Sequence, residues 1–512
     1  MTSTQILLLI AAYFGVLILI SYLTGKDDSN EVFFKAKKQS PWYVVAFGMI
    51  GASLSGVTFI SVPGLIEGQQ FAYMQGVFGF FVGYLIVLLV LLPLYYRLNV
   101  TSIYQYLEQR FGTVSYKTGA FFFLLSRVTG AAFRLFLVAL AMQYIVFEQL
   151  GVPFWVTVVI SILLIWLYTN RGGIKTIVWT DTLQTLAMLT SVIVAIILIV
   201  NKLDWSISEI FNKEAFKSKS KLFYFDDPNS KIYFWKYFIG GIFITIAMTG
   251  LDQDMMQKNL TCKNPKDAKK NMLTMSILLV FVNVIFLSLG ALLFIYSEQF
   301  GVSIPVVEGK VRTDLLFPEI AMNQGLGLGL QITFLIGLIA AAYSSADSAL
   351  TSLTTSFSID FLNIEKRPKA EQKPLRKMVH IGVSLLLIIV VIIFNQLDGS
   401  VVGNLFKFAT FTYGPLLGLF AFGILTKKAI KDNLAWIVGL ISIVLTYLIT
   451  LIPTYYAYSQ GLSIEDCTKS AWDCASLYAG KHYYNFHWEI LPLNGLITFI
   501  GLWLISKKSN TD

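Results

Sequence analysis

A polar stretch at residues 341–348, Ala-Ala-Tyr-Ser-Ser-Ala-Asp-Ser, interrupts an apolar segment that runs from about residue 330 to about residue 361. Burying hydroxyl and carboxylate groups inside an apolar segment is costly, so such groups indicate a functional site. Four positions follow the spacing i, i+3, i+4, i+7 and therefore share one helix face: Ala341, Ser344, Ser345 and Ser348. Since small hard cations prefer oxygen ligands, the stretch predicts a cation site.

Asp181 is a second carboxylate inside an apolar segment, about two helical turns after the Gly172-Gly173 pair. At that depth it needs a cation or an arginine as a partner. Arg127 and Arg134 lie seven residues apart in another apolar segment and share a helix face. Two interpretations of Arg134 stay open. It forms a structural ion pair with Asp181, or its planar guanidinium meets an anionic group of a bound solute.

The composition predicts a membrane protein that crosses the bilayer many times. The chain has 512 residues, of which 56% are hydrophobic and 13% charged, with a mean hydropathy of +0.67. About thirteen apolar spans are long enough to cross a bilayer. They lie at roughly 5–23, 41–65, 73–96, 118–147, 153–169, 174–201, 233–256, 272–297, 328–360, 378–395, 402–425, 434–456 and 488–506.

Lys and Arg residues predict the orientation, because cytoplasmic loops carry an excess of them. Six of the 39 lie between residues 366 and 377. Their distribution predicts an outside N-terminus and a cytoplasmic C-terminus, and it places Lys258 and a reduced Cys262 in an inner loop. Cys467 and Cys474 fall in the last outer loop, where they form either a disulfide or two free thiols. The chain has no phosphate-binding loop and no zinc-ligand spacing, and its three histidines lie at loops or helix ends with no evident nucleophile–base pair, so we expect no enzyme activity and no catalytic residues. The net charge of +9 needs no nucleic-acid partner to explain it.

Two apolar spans are interrupted by small and polar residues, at 49–58 and at 247–254. At Gly51, unwinding would free backbone carbonyls for a cation, whereas close packing through small residues is the alternative. Two interrupted spans at corresponding positions in two halves indicate an inverted repeat with the binding site at the breaks. Asp252 and Asp254 are either part of that site or helix-end residues that face the cytoplasm.

Together these residues resemble the sodium:solute symporter family, which includes sodium/glucose, sodium/proline and sodium/sialic acid carriers. Four segments carry the resemblance: Ala341 with Ser344-Ser345, Gly172-Gly173 leading to Asp181, residues 249–257 and residues 413–418. The resemblance implies an all-α leucine-transporter-like fold with about 13 transmembrane helices in a single domain spanning 1–512. It implies a leading helix at 5–23, a first repeat at 41–201, a second repeat at 233–425 and trailing helices at 434–506.

The resemblance also implies where the ligands bind. A sodium ion would take carbonyl oxygens of Gly51, Leu54 and Ala341 and the hydroxyls of Ser344 and Ser345. A second sodium would take Asp181, Ser344, Asp347 and Ser348. Asp347 departs from the family, which often has Ser or Thr there, so this position could strengthen a sodium site, carry a proton or form an ion pair. The substrate would contact Thr58, Gln75, Arg134, Thr249, Gln253, Phe408, Thr412 and Tyr413.

The function implied is a sodium-coupled secondary active symporter that imports a small organic solute across the cell (inner) membrane by alternating access. Arg134 lies 47 residues before Asp181, similar to the place where sialic-acid-type members hold the substrate carboxylate. This favours a carboxylate-bearing solute such as sialic acid, another acidic sugar, a monocarboxylate or an amino acid. The alternatives are a neutral sugar or vitamin symporter of the same family, or a proton-coupled carrier.

Overall fold

The computed structural model describes residues 3–54, 56–143, 147, 151–307, 310–397, 411–463 and 470–507. Helices dominate this part of the chain. Its only strands are two short antiparallel pairs: Val306–Val307 with Lys310–Val311, and Ala429–Ile430 with Ser506–Lys507. The second pair joins the loop after the helix that ends at Leu425 to the segment after the helix that ends at Leu504.

Fifteen helices or half-helices form the body of the described part of the molecule. In chain order they are α1 (Ser3–Thr24), α2 (Trp42–Ser53), α3 (Gly56–Gly64), α4 (Tyr73–Leu98), α5 (Thr113–Met142), α6 (Phe154–Thr169), α7 (Ile174–Lys202), α8 (Phe234–Gly250), α9 (Gln253–Asn259), α10 (Pro265–Phe300), α11 (Leu328–Phe361), α12 (Lys369–Gln396), α13 (Tyr413–Leu425), α14 (Ala435–Ser459) and α15 (Ile490–Leu504). Each predicted span overlaps one of these helices or one broken pair.

Both predicted interruptions are breaks between half-helices. α2 ends at Ser53, Leu54 is extended with φ −92° and ψ 96°, and α3 begins at Gly56. α8 and α9 meet at an angle of 69° across Leu251 and Asp252. The structure therefore confirms that the polar residues at these two places end one helical segment and begin another.

Short helices connect the long ones. They are Asn30–Lys35, Ala36–Lys38, Ile66–Gln69, Gln105–Arg110, Ile207–Asn212, Glu214–Lys217, Thr313–Leu315, Leu316–Asn323, Ile364–Lys366, Asp432–Leu434 and Ala471–His482. The last of these carries Cys474, which is disulfide-bonded, and Cys262 is a free buried thiol. The predicted partner of Cys474, Cys467, lies outside the described residues.

The helices that carry the predicted site pack against one another. α7 contacts α2 on one side and α11 on another, and α9 lies against all three. The turn before α7 requires glycine at position 173, where φ is +50° and a Cβ atom would lie 2.5 Å from the Phe33 ring. This turn sets the direction in which α7 enters the core and so positions Asp181.

Candidate cation and substrate site

The end of α2 leaves backbone carbonyl oxygens without helical partners. The last carbonyl groups of a helix lack intrahelical donors, and the peptide N–H of Leu54 already bonds to Ile50 O at 2.9 Å. Gly51 also packs closely on α7, because a Cβ atom there would lie 2.2 Å from Thr185 Oγ1. Close packing, one of the two interpretations left open by the sequence, therefore holds at Gly51, and the helix ends two residues later, at Ser53.

The polar stretch of α11 is buried throughout, including Ala341, Ser344 and Ser345. Ser345 is 3% exposed, and its Oγ has no hydrogen-bond partner within the described residues. A buried hydroxyl without a partner is rare and costs free energy, so it calls for an explanation such as a bound ion. Ser345 Oγ therefore has the properties of a cation ligand.

Asp181 lies on α7 and is fully buried opposite Ser344. The Ser344 hydroxyl donates to Asp181 Oδ1 at 2.9 Å. Since a hydroxyl has one hydrogen and two lone pairs, this bond leaves the lone pairs of Ser344 available to a cation on another side. Asp181 thus orients a predicted sodium ligand through its hydrogen bond.

Lys258, on α9, is the charged partner of Asp181. Its Nζ lies 2.7 Å from Asp181 Oδ2 and donates to Ser348 Oγ at 2.8 Å. The prediction that Lys258 lies in an inner loop is wrong, because the residue is 1% exposed. The proposed Arg134–Asp181 ion pair is wrong as well, because α9 reaches Asp181 and supplies the cation instead.

Asp347 is a separate buried carboxylate, and its Oδ1 has no hydrogen-bond partner among the described residues. Its Oδ2 accepts a hydrogen bond from the Tyr168 hydroxyl on α6 at 2.6 Å, and within the described ranges it forms no salt bridge. Of the four residues expected at a second sodium site, the structure therefore gathers Asp181, Ser344 and Ser348 in one chain of contacts. Asp347 has a separate polar partner.

A second buried ion cluster joins α5, the α8–α9 break and α13. An Arg127 nitrogen donates to Asp254, and a second Arg127 nitrogen lies 3.7 Å from Asp252 Oδ2. The Tyr413 hydroxyl donates to the same Asp252 oxygen at 2.7 Å. Asp252 and Asp254 are fully or almost fully buried, so the alternative that they face the cytoplasm is wrong.

Arg134 lies two helical turns beyond Arg127 on α5 and is half-buried. Unlike Arg127, it has no acidic partner in the part of the chain that the structure describes. A guanidinium inside an apolar helix without a carboxylate is available to an anionic ligand. This is the geometry expected of a residue that binds a carboxylate-bearing solute.

The amide groups of two predicted substrate residues hold loops in place. Gln253 Oε1 accepts from a backbone N–H of loop 101–103, and its Nε2 donates to a carbonyl of the same loop, each at 2.9 Å. Gln75 Nε2 donates to Ile232 O at 2.9 Å, and its Oε1 accepts from Tyr224 N at 3.0 Å. Both side chains are fully buried and thus connect distant segments.

The remaining predicted substrate residues lie on three helices or next to them. Thr58 is half-buried on α3, and Thr249 is buried in the last turn of α8. Thr412 is buried just before α13 and hydrogen-bonds to Ser126 on α5. Phe408 lies outside the described residues. Their role as substrate contacts stays a prediction.

The sequence contained a usable signal for Lys258. This lysine follows the 249–257 segment directly and stands four residues after Asp254, on the same helix face. Asp181 needed a positive partner, and Lys258 is the basic residue that follows the second interrupted span most closely. The signal was missed because the apolar span was ended at residue 256, which left Lys258 in a loop.

Comparisons with known proteins give one matching family and several relatives. The sequence profile of the sodium:solute symporter family matches residues 33–438. The sodium/sialic acid symporter SiaT of Proteus mirabilis is 26% identical over 437 residues, covering 81% of this chain and 84% of that protein. Sodium-coupled monocarboxylate transporter 1 of Xenopus laevis is 28% identical over 455 residues, covering 85% of this chain and 69% of that protein.

Solved structures show the same fold. A sodium-coupled sialic acid symporter in a substrate-bound outward-open state superimposes with a TM-score of 0.78 at 22% identity, covering 98% of this chain and 99% of that one. Mhp1, a nucleobase-cation-symport-1 family transporter in a closed conformation, gives a TM-score of 0.51 at 14% identity, covering 94% and 95%. The predicted leucine-transporter-like fold is confirmed by these matches.

Proposed function

Because the chain belongs to the sodium:solute symporter family, we propose that it imports a small carboxylate-bearing solute together with sodium by alternating access. The observation that carries the choice of solute is the Arg134 guanidinium, which has no acidic partner among the described residues. Arg127, two turns away on the same helix, has two such partners. This difference supports Arg134, rather than Arg127, as the arginine that binds the solute.

Sodium would bind where the end of α2 meets the polar stretch of α11. Carbonyl oxygens of Gly51, Leu54 and Ala341 and the hydroxyls of Ser344 and Ser345 supply five oxygen ligands for a hard cation. The unpartnered Ser345 Oγ and the lone pairs left free on Ser344 support this assignment. The ion would bridge two helices and hold them in one relative position.

Several relatives support an anionic solute. Their names give sialic acid, monocarboxylates and iodide as the transported species, and all three are anions at neutral pH. Arg134 offers a planar fork of donors that matches a carboxylate. A carboxylic sugar acid or a monocarboxylate therefore fits this chain better than a neutral sugar.

Coupling follows from linkage between the two sites. If sodium holds α2 against α11 and the solute binds beside α3 and α5, each ligand raises the affinity of the other by the same factor. The carrier would lie in the cell (inner) membrane with its N-terminus outside and its C-terminus cytoplasmic, so that basic loop 366–377 faces the cytoplasm.

The test is uptake into proteoliposomes, with N-acetylneuraminic acid, lactate, an amino acid, a vitamin carboxylate and glucose as probes. Sodium and proton gradients are imposed separately. We expect a sodium gradient alone to drive uptake of at least one carboxylate, because five oxygen ligands form a metal-cation site. Uptake driven only by protons, or only of glucose, would contradict the proposal.

The matched variants are Arg134→Ala and Arg367→Ala. Arg367 is an exposed arginine of the cytoplasmic loop, so its loss should leave uptake unchanged. Loss of Arg134 should raise the half-saturating carboxylate concentration about 10–100-fold, as expected for about 1.4–2.8 kcal/mol of charge-assisted hydrogen bonding. If both variants transport carboxylates equally well, Arg134 does not bind the solute.

A further inference from the structure

Lys258 brings an ammonium group to a cluster of oxygen atoms from two other helices. Its Nζ lies 2.7 Å from Asp181 Oδ2 on α7 and 2.8 Å from Ser348 Oγ on α11. The side chains of Lys258 and Asp181 are each 1% exposed. Carboxylate and hydroxyl oxygens that converge on one buried point form a cation site by their chemistry, and here the point is the lysine nitrogen.

We propose that the Lys258 ammonium is the built-in cation of this site, which would bind a sodium ion if the ammonium were absent. The carrier would consequently bind sodium only between α2 and α11. That last statement rests on the proposed sodium coupling, whereas the assignment of Lys258 itself rests on the contacts with Asp181 and Ser348 alone.

The balance of charge supports the assignment. The carboxylate of Asp181 is balanced by one ammonium, and a sodium ion at the same oxygens would lie next to Lys258 and be repelled by it. Arg127 cannot balance the charge of Asp181 instead, because its guanidinium is already paired with Asp252 and Asp254. A second free cation would therefore have no unbalanced carboxylate oxygen at Asp181.

Through Asp181, the ammonium also connects to the proposed sodium site between α2 and α11. Asp181 Oδ2 meets Lys258, while Oδ1 accepts from Ser344, a proposed sodium ligand. Lys258 is thus a positioning residue that holds Asp181, which in turn holds the Ser344 hydroxyl. Because its side chain is anchored to α9, this charge stays with the protein and does not cross the membrane.

The experiment counts bound sodium. Radioactive sodium binding at equilibrium is measured on the purified full chain in lipid nanodiscs, with choline as the replacement ion and no solute present. We expect about one sodium ion per chain for the unmodified protein, about two for Lys258→Met and about one for Lys258→Met combined with Asp181→Asn. Lys258→Arg, which keeps the charge, should bind the same number as the unmodified protein.

Each outcome separates the two proposals. Two sodium ions on the unmodified protein, or an unchanged count in Lys258→Met, would overturn the assignment of Lys258. No sodium on the unmodified protein but one on Lys258→Met would support Lys258 and contradict the proposed sodium coupling. If Lys258→Met does not fold, Lys258→Gln is measured in its place, and an unchanged sodium count in that variant would overturn the assignment.

Discussion

The Ser344 hydroxyl donates to Asp181, so a proposed sodium ligand lies next to a buried ion pair. Its hydrogen is committed to Asp181, so its orientation depends on a carboxylate that in turn depends on Lys258. Ser345, the next residue, has no such partner within the described residues. The two hydroxyls therefore have different physical roles although both lie on the same helix.

Replacing Ser345 with alanine should weaken sodium binding without weakening the fold. The variant loses one of five proposed ligands, so we expect the sodium concentration at half-saturation to rise about tenfold, a loss of about 1.4 kcal/mol. Since Ser345 Oγ has no hydrogen bond to lose, the melting temperature without sodium should stay the same or rise slightly. Sodium titration by thermal shift measures both quantities.

Ser352→Ala is the matched control. Ser352 is also buried on α11, but its hydroxyl bonds to the carbonyl of Ala349 one turn back. Its loss should leave sodium affinity unchanged. The assignment of Ser345 fails if both variants show the same sodium dependence as the unmodified protein.

At the scale of elements, the contact between α2 and α7 fixes where the helix-end carbonyls lie. Gly51→Ala would place a methyl group against Thr185 and push α2 away. We expect a loss of about 1–3 kcal/mol from overpacking and weaker sodium binding, because the carbonyls at the break shift with the helix. Chemical unfolding and sodium titration test the two effects.

The controls for this element use one open site and one compensating change. Gly15→Ala on α1 meets no atom within 4 Å, so it should not destabilise the protein. Thr185→Ala removes the nearest atom, the Oγ1, and should partly restore both stability and sodium affinity to Gly51→Ala. Normal sodium affinity in Gly51→Ala would show that the end of α2 does not contribute ligands.

The sequence predicted the elements better than the contacts between them. The breaks near Leu54 and Asp252 and the polar stretch of α11 are local features, because glycine spacing and helix periodicity show them directly. The partner of Asp181 depends instead on how the bent pair α8–α9 lies against α7, and no local pattern reveals that. Gln253 shows the same limit, since its amide bonds to a loop about 150 residues earlier.

At the scale of the whole molecule, two buried ion clusters connect the α8–α9 pair to the rest of the helices. Lys258 ties α9 to α7 and α11, and Arg127 ties the break to α5. Any movement that opens the protein by tilting α9 must separate these charges inside the bilayer, where unpaired charges are costly. The pairs therefore favour one position of the broken helix.

Transport of a singly charged carboxylate should be electroneutral, because one sodium ion carries one charge and Lys258 stays in place. We expect uptake of lactate or N-acetylneuraminic acid, whichever is the better substrate, to be unaffected by a potential of about 100 mV set with potassium and valinomycin, although each net charge would contribute about 2.3 kcal/mol. If Lys258→Met transports two sodium ions, its uptake should respond to voltage. Voltage-dependent uptake by the unmodified protein would contradict the proposed ion count.

The fixed charge at Lys258 therefore sets a thermodynamic ceiling on what the cell can accumulate. For a monovalent acid, the inside-to-outside ratio of the solute cannot exceed the outside-to-inside ratio of sodium. A roughly tenfold inward sodium gradient therefore holds a roughly tenfold solute gradient at any voltage. A carrier with two mobile sodium ions would reach higher ratios, but its ceiling would change with the membrane potential. With a lysine on α9 in place of a second mobile cation, the carrier would reach a lower solute ratio, but that ratio would not depend on the membrane potential.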